Sequence, residues 1–185
     1  MHSRRFGPAL ASLGLAGGLL FSAAFARDVY TGISRPARRE VESFASAARR
    51  GSAPTEGELL GKMSVPRLSM DSLVFEGVAA ATLARGAGHV PGTALPGEED
   101  GASMIAVPRG RSGEAVSRLK LNDRVALRTT RGLLGYRVVA RRIVEATRFQ
   151  AVSAGITRLT LVTAYPADAA GPAPMRLAVS LEPMD

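Results

Sequence analysis

From residue 58 onward, apolar positions recur at every second residue. Leu59, Gly61, Met63 and Val65 alternate with other side chains until Pro66 stops the run, the pattern of a strand with one buried face. Leu68 and Met70 begin a second strand, with a turn expected at Asp71-Ser72 before Leu73 to Phe75. Ala79 to Arg85 reads as a short helix closed by Gly86. Ala102 to Val107 is an apolar strand, and Ser112 is placed to cap a helix that turns Ala115, Val116 and Leu119 to one side. Asn122-Asp123 turns into the strand Arg124 to Thr129, and Arg131-Gly132 into a long strand from Leu134 to about Val144. Leu159 to Tyr165 and Arg176 to Leu181 complete the series. Eight or so short strands with regular turns predict a mostly β fold, a small barrel with short helices.

The chain ahead of this region follows other periods. Gly7 to Ala26 is an uncharged run of apolar and small residues, about the roughly 20 residues a bilayer-spanning helix needs. It predicts a transmembrane signal anchor over residues 7–26. Ala24 and Ala26 also supply an A-x-A cleavage pattern, but the run is long for the core of a cleaved signal peptide. Residues 35–50 switch to helical spacing, with Val41, Phe44, Ala45 and Ala48 on one face, Pro36 in the first turn and Gly51 at the end. The expected organisation is a basic tail 1–6, an anchor 7–26, a juxtamembrane helix and linker 27–57, and a barrel domain 58–185.

The net charge of +8 is unevenly spread. Residues 1–54 hold eight Arg and three acids, while the longer remainder carries an excess of only +3. The excess flanks the apolar run, which suits a lipid bilayer as partner. No nucleic-acid motif or aromatic stacking row accompanies it, so no nucleic acid is expected. Arg4 and Arg5 before the run face Arg27, Arg35, Arg38 and Arg39 after it. Taken alone, that count would keep the C-terminal domain inside the cell. The chain has no cysteine, which excludes disulfides, thiolate metal sites and a thiol nucleophile. Glu98, Glu99, Asp100 and Asp168 are loop carboxylates without a calcium-loop pattern, so neither a metal nor a cofactor is expected.

Four ordered segments carry a family resemblance. "GELLGKMSVPRLSMDSLVFEG" is similar to the first two strands of the sortases. "ATLARGAGHVPGTALPGEEDGASMIA" resembles their helix, GPGH-P-GTALPG loop and fourth strand, "LVTAYP" their LVTCYP strand, and "GPAPMRLAV" their last strand. The likeness spans roughly 125 residues and is nearest to class D. It implies a sortase-like eight-stranded β-barrel behind an N-terminal transmembrane helix, with the C-terminal domain outside the cytoplasm. It also implies a cysteine transpeptidase that acts on a protein sorting signal resembling LPxTG.

The same resemblance locates the site and shows what has changed there. The family nucleophile falls at Ala164, and the family Gly-His-Arg at Val107, Pro108 and Arg109, so the general acid–base position is Pro108. The family arginine falls at Arg176 and is retained. A methyl group cannot attack a carbonyl, and a proline side chain cannot carry a proton to the leaving amine. Arg176, Thr163, Tyr165 and His89 are the candidate peptide contacts. His89 is the one histidine of the domain, and Thr160 and Thr163 are hydroxyls on the key strand. Two site walls are compatible with the sequence: an open basic pocket at Ala164 and Arg176, or one plugged by Val107. Three functions follow: a catalytically dead, peptide-binding pseudo-sortase; a cysteine-independent transpeptidase or hydrolase; or an envelope structural protein with a filled groove.

Overall fold

The computed structural model describes residues 53–98, 100–148, 158–168 and 171–184. The tail, the apolar run 7–26, the helix expected over 35–50 and Glu99 lie outside the described residues. Among the described residues no helix is long and apolar enough to cross a membrane.

Eight strands form the domain: β1 (Leu59–Val65), β2 (Met70–Glu76), β3 (Ala87–His89), β4 (Ser103–Val107), β5 (Arg124–Thr129), β6 (Gly132–Glu145), β7 (Leu159–Tyr165) and β8 (Met175–Pro183). They close into a barrel in the order β1-β2-β3-β4-β7-β8-β6-β5. Most neighbours are antiparallel, but β3 runs parallel to β2 and β7 parallel to β4. Two helices, α1 (Ala80–Arg85) and α2 (Arg111–Ser117), occupy connections. Inward-facing residues such as Met63, Val65, Ile105, Leu127, Leu161 and Val179 fill the interior, and Ala115, Val116 and Leu119 of α2 and its exit join them. Closure leaves the sheet no long open edge.

Three details differ from the sequence expectations. The turn between β1 and β2 is a 3₁₀ turn at Pro66–Leu68 followed by Ser69 at φ 48°, and β2 runs straight through Asp71-Ser72. Asp71 is polar because its carboxylate accepts from Lys62 Nζ at 2.8 Å and Ser64 Oγ at 2.7 Å on the neighbouring strand. Gly110, not Ser112, stands at the start of α2; its φ of 89° suits glycine. β3 has only three residues, too few to show a period, yet it bridges β2 to β4.

At the start of β1 the register with β2 shifts between Leu59 and Gly61. This bulge brings Leu60 into the core beside Met63. Gly61 lies so close to β5 that a Cβ would stand 2.1 Å from the Arg128 carbonyl oxygen. Residues just ahead of β1 are also held: Gly57 N–H donates to Glu76 O at 2.8 Å, and Thr82 Oγ1 of α1 donates to the Glu56 carboxylate. At the end of the β1–β2 hairpin, Arg67 pairs with Asp123 and also donates to Arg118 O. The hydrogen bond from Arg67 is the main cause holding the Asp123 carboxyl below its ordinary value.

Candidate functional site

The site residues named by the resemblance lie on β4, β7 and β8, which are adjacent in the barrel. Val107 pairs with Thr163 in the parallel β4–β7 register, and Ala164 pairs with Arg176 across β7–β8. Pro108 follows Val107 directly, so Pro108, Ala164 and Arg176 fall in one row across three strands.

Strand alternation decides which way this row faces. On β7, Leu159 and Leu161 belong to the core and Tyr165 packs against it. On β8, Leu177, Val179 and Leu181 do the same. Successive side chains point to opposite faces, so Ala164 and Arg176 share the outer face, and both are half-buried. Beside them Ala106, Val162 and Ala178 form the next row through the pairs Ala106–Val162 and Val162–Ala178. The outer face at this point is therefore a floor of small apolar side chains with one guanidinium at its end.

The loop between β7 and β8 is tied down on both sides. Arg176 Nη1 donates to the carbonyls of Ala173 and Met175, each at 3.0 Å. Arg109, one residue beyond Pro108, donates to Gly171 O from the opposite flank.

Thr163 and His89 do not share the outer face. Thr163 is 2% exposed, and its Oγ1 is buried without a hydrogen-bond partner. It sits under α2, where a Cβ on Gly113 would stand 2.8 Å from both Thr163 Oγ1 and Pro108 O. Glycine is what lets the helix close over these strand ends. Val107 is buried in the core cluster, so it does not plug the outer face. Thr160 is half-buried on the outer side of β7.

His89 is 2% exposed at the end of β3, inside the barrel. Its Nδ1 lies 2.8 Å from Glu76 Oε2, and its Nε2 lies 2.9 Å from Ala94 O and 3.0 Å from Thr93 Oγ1. Thr93 Oγ1 donates to Val90 O, so it accepts from the ring. A carbonyl only accepts, so Nε2 carries a hydrogen. Both ring nitrogens are committed, which leaves His89 as an internal strut rather than a proton carrier for the outer row.

The loop carboxylates are dispersed. Glu98 accepts from Leu95 N–H and pairs with Arg131 at 2.8 Å. Asp100 and Asp168 are exposed. Among the described residues no group of acids and histidines could hold a metal ion. Sequence reasoning passed over Glu76, Thr93 and the floor residues Ala106, Val162 and Ala178. The alternation Met70, Ser72, Val74, Glu76 does place Glu76 inward, and Leu159 with Leu161 fixes the outer side of β7.

A sortase-domain family model matches residues 63–184. Among solved structures, the chain is similar to a lid mutant of sortase C1 from Streptococcus agalactiae at TM-score 0.62 and 22% identity, over 84% of this chain and 92% of that one. It is similar to sortase C from Clostridium perfringens SM101 at TM-score 0.62 and 20% identity, over 89% and 97%. Sortase C of Streptococcus pneumoniae matches at TM-score 0.62 and 21% identity, over 86% and 94%. At these identities the structural likeness carries the fold alone. Among curated protein sequences none matches the chain significantly. The family match covers most of the barrel and more than half of the whole chain, and the chain belongs to the sortase family.

Proposed function

We propose that this chain is a catalytically silent sortase, anchored in the cell membrane through residues 7–26 with its barrel outside the cytoplasm. In this reading the outer face of β4, β7 and β8 holds an extended, sorting-signal-like peptide, and Arg176 orients it. The observation that carries the reading is the single row Pro108, Ala164, Arg176. The barrel brings these three positions together, while the chain contains no thiol at all. Covalent acyl transfer needs its nucleophile outright, and a proton donor for the leaving amine adds ~10²–10⁴ in rate. His89 offers no substitute, because both its nitrogens are engaged inside the barrel. The loop GAGHVPGTALPG and the strand LVTAYP incline the chain towards class D.

The test is a graded restoration. The unmodified protein is expected to leave a quenched sorting-signal peptide at background. Ala164→Cys alone forms thioester slowly, seen by intact mass, and adding Pro108→His raises turnover. Val107 stays in place, since removing it would open the core. Clear turnover by the unmodified protein would defeat the reading. In a titration with the same peptide, Arg176→Ala should weaken binding at least tenfold, as roughly 1.5–3 kcal/mol for a charged hydrogen bond implies.

One observation favours the structural alternative. Arg176 already donates to Ala173 and Met175 carbonyls, as an arginine kept only to brace a loop would. Equal peptide binding, or none, by parent and Arg176→Ala would select that alternative. Carbonate extraction with protease shaving tests the anchor and its orientation.

A further inference from the structure

The outer row at Ala164 and Arg176 continues onto β6. Across the β6–β8 pairing Val144 stands opposite Arg176, and Arg142 stands opposite Ala178. Ala178 is a floor residue, paired on its other side with Val162, so Arg142 shares the outer face with Arg176. Arg141 turns the other way: it pairs with the core residue Val179, and its Nη2 donates to Ser117 O at the end of α2. Arg142 and Arg176 are therefore diagonal neighbours across two strands. Residues so placed lie about 7–8 Å apart, within reach of long side chains.

Both guanidiniums have donors to spare. Arg176 uses Nη1 alone for the carbonyls of Ala173 and Met175. Five N–H donors sit in the fixed fork of an arginine, so its Nε–Nη2 edge is left, the kind of edge that takes a carboxylate through two parallel bonds. Neither of those nitrogens is among the buried atoms that lack a partner. Arg142 is exposed. Among the described residues the ion pairs lie elsewhere, at Lys62–Asp71, Arg67–Asp123, Glu76–His89 and Glu98–Arg131. The acids of the neighbouring strands do not balance the charge. Glu145 pairs with Met175 and stands on the other side of β6, and Glu182, further along β8, stands opposite Arg137. Asp168 of the β7–β8 loop is exposed. The connection 149–157 and residues 169–170 contain no acid.

We propose that Arg142 and Arg176 form a carboxylate subsite at the β6 edge of the peptide face, and that the peptide held there is acidic. This rests on the peptide-binding reading above and adds the chemistry of the ligand to it. Arg142 is two strands from Ala164, by way of β8. Strands lie about 4.8 Å apart and an extended residue spans about 3.3 Å. The carboxylate therefore belongs about three residues from the residue that lies over Ala164. A Glu or Asp side chain and a free chain end offer the same chemistry at that distance.

The test is a titration of the full-length protein with an LPxTG-like peptide extended by neutral residues at both ends. One glutamate is walked along the peptide against its glutamine counterpart. At one position the glutamate should bind about tenfold tighter than glutamine. Arg142→Gln should cut that preference to about threefold or less, and Arg142→Glu should turn it into a preference for lysine at the same position. A peptide ending there in a free carboxylate, set against its amide, tells a chain end from a side chain, and preference for either carboxylate supports the subsite. Because Arg142 is exposed its variants should fold, and the reversal by Arg142→Glu separates a changed charge from a lost fold. Equal binding of the glutamate and glutamine peptides overturns the subsite and leaves the peptide reading standing. A gain that is the same wherever the glutamate stands is attraction to the net charge of +8 and also overturns it. So does a preference untouched by Arg142→Gln, which would assign the acid to another cation. Arg142-dependent self-association in place of peptide binding, seen by sedimentation, would give the face to a second copy and overturn it as well. Binding by none of the peptides defeats the peptide reading, and the subsite with it.

Discussion

The inner and outer faces of the barrel treat polar residues in opposite ways. Inside, Glu76, His89 and Thr93 form a network in which each ring nitrogen of His89 has a partner. Outside, the row Pro108, Ala164, Arg176 holds one charged side chain beside two with no nucleophilic or titratable atom, and the barrel closes all the same. The strands alternate sides residue by residue, so the two sets share no atoms. The lesson is that the interior residues answer to folding, whereas the row proposed to meet a peptide stands outside the core.

His89→Ala would break this contrast most severely. It leaves the Glu76 carboxylate buried without its donor, and an expected loss of about 3–5 kcal/mol follows. Urea unfolding should show it, while Ala164→Ser stays within about 0.5 kcal/mol of the parent. If the two variants are equally stable, the division into faces is wrong. Gly113→Ala comes next, because its Cβ would meet the Pro108 carbonyl and Thr163 Oγ1 at 2.8 Å. An overpacking cost of about 1–3 kcal/mol is expected in the same unfolding experiment.

Thr163→Val tests an inward residue that the resemblance would assign to a peptide. Its Oγ1 is buried without a partner, so the isosteric change should be neutral, or stabilising by up to about 1 kcal/mol. A marked loss of peptide binding with unchanged stability would move Thr163 to the functional face. Asp123 gives the smallest and most condition-dependent effect. Its carboxyl is held low chiefly by the hydrogen bond from Arg67. The stability it adds is present above the unfolded carboxylate value near ~4 and is lost as the pH falls through the lower folded value. The stability gap between parent and Asp123→Asn should therefore be steady at neutral pH and close on acidification below that value. High salt should weaken it as well, since the Arg67 side chain is largely exposed.

Much of the barrel was legible because alternation is a local property. Leu159 to Tyr165 and Arg124 to Thr129 could be read as strands from the side chains alone. Asp71-Ser72 looked like a turn because its polar character is explained only by Lys62 and Ser64 on a neighbouring strand. β3 was invisible because three residues show no period. The site was located by resemblance, and its sidedness was available from Leu159 and Leu161. The bond between Glu76 and His89 depends on the parallel β2–β3 register, which no local pattern announces.

The double tether on the β7–β8 loop bears on how fast a ligand comes and goes. Arg109 holds the loop at Gly171, and Arg176 holds it at Ala173 and Met175. A rim fixed at both flanks needs little ordering when a peptide arrives, so the entropy of closing a loop is not charged against association. Arrival would then proceed at the ordinary rate for an extended peptide meeting a formed surface, and the lifetime of the complex would be set by departure. Cutting the Arg109 tether with Arg109→Ala should slow arrival more than it hastens departure, a signature that stopped-flow mixing can separate from the Arg176→Ala change.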